Sequence, residues 1–215
     1  MRSLPSLALV SVSLLACAPD RRADAPPNVV LLVLDTVRSD HLGCYGYGRP
    51  TSPGIDAFAR GATRYTRSLS AAPWTVPTHA SLFTGKAPLA HGAHTIKIEA
   101  RGHPDVRPLD DDALTLAEVF AAEGYDTAAF AANTAFLARQ WKLDQGFQTY
   151  HLERVRADAL NRSVFAWLDA HGDEPFFLFV NYIDAHRPYD TRPRRGFLDP
   201  PASQDPNLLD SSWKR

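Results

Sequence analysis

Cysteine is scarce in this chain: Cys17 and Cys44 are the only two among 215 residues. No excess of one charge exists either, since the formal net charge is −1, which leaves no basic field for a nucleic acid. Lysine is thin, with 4 Lys against 19 Arg, a tilt that reads with the abundant alanine as codon bias. Apart from Leu4 to Ala16, no apolar run suggests a membrane segment, and that run is too short to span a bilayer as a helix. Internal repeats are absent. What remains is 45% hydrophobic and 22% charged, enough for one domain with its own core.

The N-terminus carries its own address. Arg2 precedes the apolar stretch, which ends Leu14-Leu15-Ala16-Cys17. Residues 1–16 read as a secretory signal outside the fold, and residues 17–27, ending DRRADAPP, as a short tether. A plain signal peptide with a coincidental cysteine is the simpler alternative. The L-x-A-C ending resembles a bacterial lipobox, which implies cleavage before Cys17 and a lipid on its sulfur. The protein would then sit in the bacterial cell envelope, held to a membrane by that lipid, in the periplasm or on the outer surface. Cys44 would be left alone, with no internal disulfide possible.

The densest chemical signal is AAPWTVPTHASLFTGKAPLAHG, residues 71–92. Pro77 suits the first turn of a helix, where its missing N–H breaks no bond. That helix is expected to run through Ala80, Leu82 and Phe83 and stop at Gly85, a left-handed cap. Thr75 falls at its N-terminus, where free amides and the positive dipole end can hold a tetrahedral anion. Thr75 and His79 are four apart, so one face presents both. The plainer reading makes Thr75 an N-cap and His79 a surface residue.

Upstream, NVVLLVL at residues 28–34 is an apolar run between Pro26-Pro27 and Asp35, the pattern of a buried parallel strand. A carboxylate at its C-terminal end lies where ligands bind in open α/β sheets. Further buried strands are expected near 127–132 and 176–183. The periodic segments between them predict a helix at Pro53 with Ile55, Phe58 and Ala59 inward. They also predict one over 113–123 with Leu116, Val119 and Phe120 inward, and one over 154–171 with Leu160, Val164, Phe165 and Leu168 inward. Residues 90–112 read as a loop over the site.

Taken in order, Asp35-Thr36-Val37-Arg38-Ser39-Asp40, the Thr75 segment, LAEVFAAEGYDT (116–127), LDQGFQTY (143–150) and FFLFVNYIDAHRPY (176–189) resemble the sulfatase family of the alkaline phosphatase superfamily. The resemblance implies an α/β, alkaline-phosphatase-like fold with a mainly parallel sheet flanked by helices. It implies that Asp35 and Thr75 bind a divalent metal, calcium, magnesium or manganese by the hardness of oxygen ligands, with zinc possible. His186, in Asp184-Ala185-His186-Arg187-Pro188, matches a family D-x-H-x-P segment that contacts the substrate anion or protonates the leaving oxygen. A loop histidine is the bland alternative. Thr75, His79 and His186 are thus the candidate catalytic residues, and Asn133 a candidate substrate donor or a strand-end turn residue.

Departures from the family pattern matter as much. Sulfatases oxidise a Cys or Ser at the nucleophile position to formylglycine. Threonine would give a ketone, so Thr75 would have to attack directly with metal assistance. His79 stands where the pattern has Arg, Thr36 where it has a second metal-site acid, and Asn133 near a missing sulfate-binding cluster. These changes put ordinary sulfatase activity in doubt and point toward phosphorus esters, on which the superfamily's threonine-nucleophile enzymes act. The expected function is a metal-dependent hydrolase or transferase of sulfate or phosphate esters, acting on a small molecule, glycan or lipid. The alternative is an inactive envelope lipoprotein of the same fold that binds anionic glycans or lipids. Family members also bring metal ligands from a second half, and none stands at a suitable place here. Residues 28–215 are therefore expected to be the N-terminal part of a catalytic domain, inactive alone.

Overall fold

A computed structural model describes residues 26–98 and 104–187. The signal and Cys17, and the Pro- and Arg-rich stretch after Arg187, lie outside the described residues. The chain opens with β1 (Val29–Leu34) and continues through α1 (Pro53–Ala59), α2 (Thr75–Thr84) and α3 (Pro88–His91). A hairpin of β2 (Thr95–Ile98) and β3 (Pro104–Val106) precedes α4 (Leu116–Ala122) and β4 (Asp126–Ala131). Then come β5 (Thr149–Leu152), α5 (Ala157–Ala170) and β6 (Phe176–Tyr182). The main sheet has the order β1-β6-β4-β5, with every pairing parallel. The three strands expected from sequence all lie in it, within one residue of their expected ends. This is the α/β sheet with flanking helices that the motifs imply.

Side-chain alternation divides that sheet into two faces. On one, Phe179, Ala129 and Ala131 pack with Val76, Ala80 and Phe83 of α2 and with Leu137 and Leu143. On the other, Leu178, Val180 and Phe130 pack with Leu160 and Val164 of α5. Local signals set the helix limits. Gly85 closes α2 at φ 67, and Thr115 with Glu118 forms a reciprocal capping box at the start of α4. The Asp184 carboxylate accepts from Ala157 N–H at the head of α5 (3.2 and 3.0 Å). Gly146 is required twice over: its φ is 82, and a Cβ there would lie 2.3 Å from the Glu118 nitrogen.

Several expectations are corrected. Residues 90–112 are not one loop, since they contain the end of α3 and the β2–β3 hairpin. Among the described residues β1 is an edge strand, not buried on both sides: Val30, Leu32 and Leu34 are 50%, 57% and 40% exposed, because α5 packs over β4 and β6. Phe58 of α1 is exposed, and Ile55 with it. That helix is held instead by polar bonds, in which Ser52 Oγ and Asp56 accept from Gly43 and Cys44 N–H. Val119 and Phe165 also face outward, while Ala117 is the buried residue of α4. Short amphipathic segments define their stripe poorly, and packing chose a face rotated from the apolar maximum. β5 was legible only as a motif, being four half-buried residues.

Candidate active site

The site forms where β1, β4 and α2 end or begin at one edge of the sheet. Asp35 follows β1 directly and its N–H bonds the Tyr182 carbonyl (2.9 Å), so the ladder with β6 runs on to the carboxylate-bearing residue. Asn133 lies just beyond β4. It is 2% exposed and acts twice. Its Oδ1 and backbone carbonyl accept from Phe136 and Leu137 N–H (3.1 and 3.0 Å), fixing the turn. Its Nδ2 donates to Asp35 Oδ2 at 2.9 Å and to Thr75 Oγ1 at 3.2 Å. The turn reading of Asn133 holds, and its amide is spent on Asp35 and Thr75. It is the centre of the cluster.

Thr75 is the first residue of α2. The N-cap is Trp74, and no side chain caps the helix. The Thr75 hydroxyl therefore does not do the work of a cap; it meets the Asn133 amide instead. By helix geometry the first-turn amides of Thr75 and Val76 have no acceptor within the helix, and Pro77 has none to satisfy.

His79 is 3% exposed, so the surface reading is overturned. Its ring packs edge-on against Phe179 and Phe83 (centroids 5.8 and 6.1 Å). Nδ1 lies 2.8 Å from the Thr75 carbonyl. A carbonyl can only accept, so Nδ1 carries the proton and Nε2 carries the lone pair. Burial pushes the His79 pKa down, against a smaller upward pull from that carbonyl and from the Asp35 charge.

Thr36, read as a lost metal ligand, has another task. It adopts φ 62, a costly conformation for a β-branched residue, and its hydroxyl donates to Ala185 O at 2.9 Å. This bond ties the exit of β1 to the exit of β6. Sequence reasoning missed it, because nothing local marks a threonine for a left-handed conformation. His186 follows one residue later, half-buried, with Nδ1 2.6 Å from the Arg187 carbonyl. It stands at the same sheet edge, but no hydrogen bond joins it to Asp35, Thr75 or Asn133. A cavity of about 310 Å³ lies on the α5 side of Asp35, walled by Leu34, Val37, Tyr182 and Ala185. Thr75 is not part of its wall.

For a metal, the donors fit in kind. Asp35 is 8% exposed and, among the described residues, no Lys or Arg pairs with it. A buried carboxylate in that condition suits a cation, and the Thr75 hydroxyl is a second hard oxygen within reach of the same amide. The set is partial: the described residues hold no group of three or more His, Cys, Asp or Glu that could bind a metal.

A family model for Sulfatase matches residues 27–207. The chain belongs to the sulfatase family. It is 34% identical to bovine (Bos taurus) arylsulfatase A over 132 residues, which are 61% of this chain and 24% of that protein. Among solved structures, BT4656 in complex with its substrate D-glucosamine-2-N,6-O-disulfate superposes with a TM-score of 0.62 at 17% identity, covering 75% of this chain and 35% of the other. The phosphonate monoester hydrolase of Agrobacterium radiobacter gives 0.58 at 19% identity, covering 75% and 41%. The chain thus spans about a quarter of the curated relative's length and less than half of these structures. At such identities the structures establish the fold alone, the alkaline-phosphatase-like one.

Proposed function

We propose that this chain carries the nucleophile half of a sulfatase-family active site that cleaves sulfate or phosphate esters, with Thr75 as the attacking residue. Sulfate esters are the leading substrate class, because the sequence relatives are sulfatases. A sulfated glycan is a natural candidate, since a structural relative is described with a disulfated glucosamine as its substrate. The observation that carries the reading is the Asn133 amide shared between Asp35 and Thr75, with the threonine hydroxyl freed from any capping duty.

Each residue has a task. By donating to Thr75 Oγ1, Asn133 orients the lone pairs and leaves the hydroxyl proton able to depart. The Thr75 oxygen forms a bond to sulfur or phosphorus as its proton passes to solvent and the opposite ester bond breaks, and the alcohol leaves with a proton, His186 being the candidate donor. Water, or an acceptor alcohol in a transferase, then releases the group from Thr75. The open amides and dipole at the head of α2 favour the transferred anion. A divalent metal, bound by Asp35 and Thr75 in this reading, supplies neutralisation of the non-bridging oxygens and lowers the pKa of the hydroxyl. Calcium, magnesium or manganese matches these oxygens best. No formylglycine is formed, because the threonine methyl group forbids the aldehyde.

The remaining proposals concern placement of the protein. Residues 1–16 serve as signal, Cys17 bears a lipid, and the domain works at the bacterial cell envelope on a short tether. Cys17→Ser should release the protein from the membrane fraction, and unchanged fractionation would reject the anchor. For the chemistry, the full-length protein is assayed with aryl sulfate, aryl phosphate diester and phosphonate substrates under different metals. Turnover of at least one class that disappears with a chelator supports the reading. Full activity in the chelator rejects the metal, and none on any substrate with any metal rejects the enzyme.

A further inference from the structure

Beneath the Asp35–Asn133–Thr75 cluster lies a second polar layer that the proposed chemistry does not use. Asn181 sits near the end of β6, paired in register with Val33 of β1 and Ala131 of β4. It shares the α2-facing side of the sheet with Phe177 and Phe179 by strand alternation. Asp35 lies two residues beyond Val33 and Asn133 two beyond Ala131, so Asn181 is one step below both. His79 comes down onto this layer from α2, its ring against Phe179. Asn181 is 0% exposed, and neither Nδ2 nor Oδ1 has a hydrogen-bond partner; Nε2 of His79 is likewise buried and without one.

His79 and Asn181 both neighbour Phe179, one across its ring and the other two residues along the strand, and leaving His79 Nε2 and Asn181 Nδ2 unpaired in this apolar surrounding is costly. Their chemistry is complementary. His79 Nε2 is an acceptor, since Nδ1 donates to Thr75 O. Asn181 offers a donor and an acceptor. The two side chains are not in direct hydrogen-bond contact, and a single water can donate to Nε2 and accept from Nδ2 at once.

We propose that Asn181 is a positioning residue of this site, joined through one buried water to Nε2 of His79, and that this link holds the imidazole against the Thr75 carbonyl beneath the nucleophile. Asn181 thus acts on Thr75 through His79 without touching substrate. The link is a second layer of the kind that orients the residues performing chemistry. Its kinetic consequence rests on the active-site reading above; the water itself does not.

NMR of the full chain, labelled with ¹⁵N, tests the link. A water-to-amide nuclear Overhauser effect at the Asn181 side chain is expected in the unmodified protein, with the His79 Nε2 resonance displaced toward that of a hydrogen-bond acceptor. Asn181→Leu, similar in shape but apolar, should move Nε2 to the position of an unbonded nitrogen, while Asn181→Ser should keep the displacement. In the full-length enzyme Asn181→Leu should lower kcat roughly tenfold at constant KM, and Asn181→Ser should restore most of it. Absence of the water signal overturns the proposal without any variant, and so does an Nε2 resonance unchanged in Asn181→Leu. Unchanged kcat beside a moved resonance overturns the positioning role. Should Thr75→Ala prove fully active while the water signal is present, the nucleophile reading falls and the buried water stands.

Discussion

The two faces of the sheet follow the same strand pattern and do opposite work. Toward α5, β6 presents Leu178 and Val180 to Leu160 and Val164, a layer of apolar contacts. Toward α2, the same strand presents Phe177, Phe179 and then Asn181, and the apolar layer gives way to His79, Asn133, Asp35 and Thr75 as the strands end. The α5 face is cheap to bury. The α2 face holds buried polar groups that gain little stability from being there, the usual mark of a layer kept for chemistry.

Substitutions on the two faces should therefore separate activity from stability. The largest effect is expected at Thr75. In the full-length enzyme Thr75→Ala should lower turnover by several orders of magnitude with the folding transition intact, and Thr75→Ser should retain substantial activity. Activity equal to the parent's in Thr75→Ala would make water the nucleophile and erase the contrast between the faces.

Leu160→Ala is the converse case. The side chain is fully buried on the α5 face, and its loss should cost about 2–5 kcal/mol in denaturant unfolding. KM and kcat of whatever protein remains folded should not change. A catalytic defect without destabilisation would mean that α5 belongs to the site.

A smaller loss is expected at the edge of the domain. Thr115 is 1% exposed and caps α4 in a reciprocal bond with Glu118, while its hydroxyl also contacts Gln145 O. Thr115→Ala should lower stability by about 1–2 kcal/mol by chemical denaturation. A neutral outcome would show that the Glu118 side chain alone secures the helix start.

The smallest effect is a slope with pH. His79 is held below its ordinary pKa of 6.5 by burial, so the folded state prefers the neutral ring. The unfolded chain then binds more protons, and stability present above about pH 6.5 is lost as pH falls below it. Urea midpoints at pH 7.5 and 5.5 should converge less in the parent than in His79→Gln, which lacks this titration. Identical losses in both proteins would mean that His79 opens to solvent before it protonates.

How far the sequence could be read follows from the range of the forces involved. Helix α2, its Gly85 stop and the three long strands were legible because caps and apolar runs act over a few residues. Asp35 and Thr75 were legible as strand-end and helix-start residues for the same reason. The faces of α1, α4 and α5 were partly misread, since Phe58, Val119 and Phe165 face solvent, α1 buries no residue at all and α4 buries Ala117 instead.

By itself, then, the sequence determined the family, the parallel sheet and the identity of the nucleophile candidate, all properties of short segments in order. Tertiary structure alone decided that Asn133 bridges Asp35 and Thr75 across 98 and 58 residues of chain. It also decided that His79 and Asn181 are both buried with unpartnered polar atoms and that Thr36 is a tie to Ala185 rather than a spare ligand. Those relations depend on which strand lies beside which, and parallel neighbours are set by crossovers of many residues that no local pattern encodes.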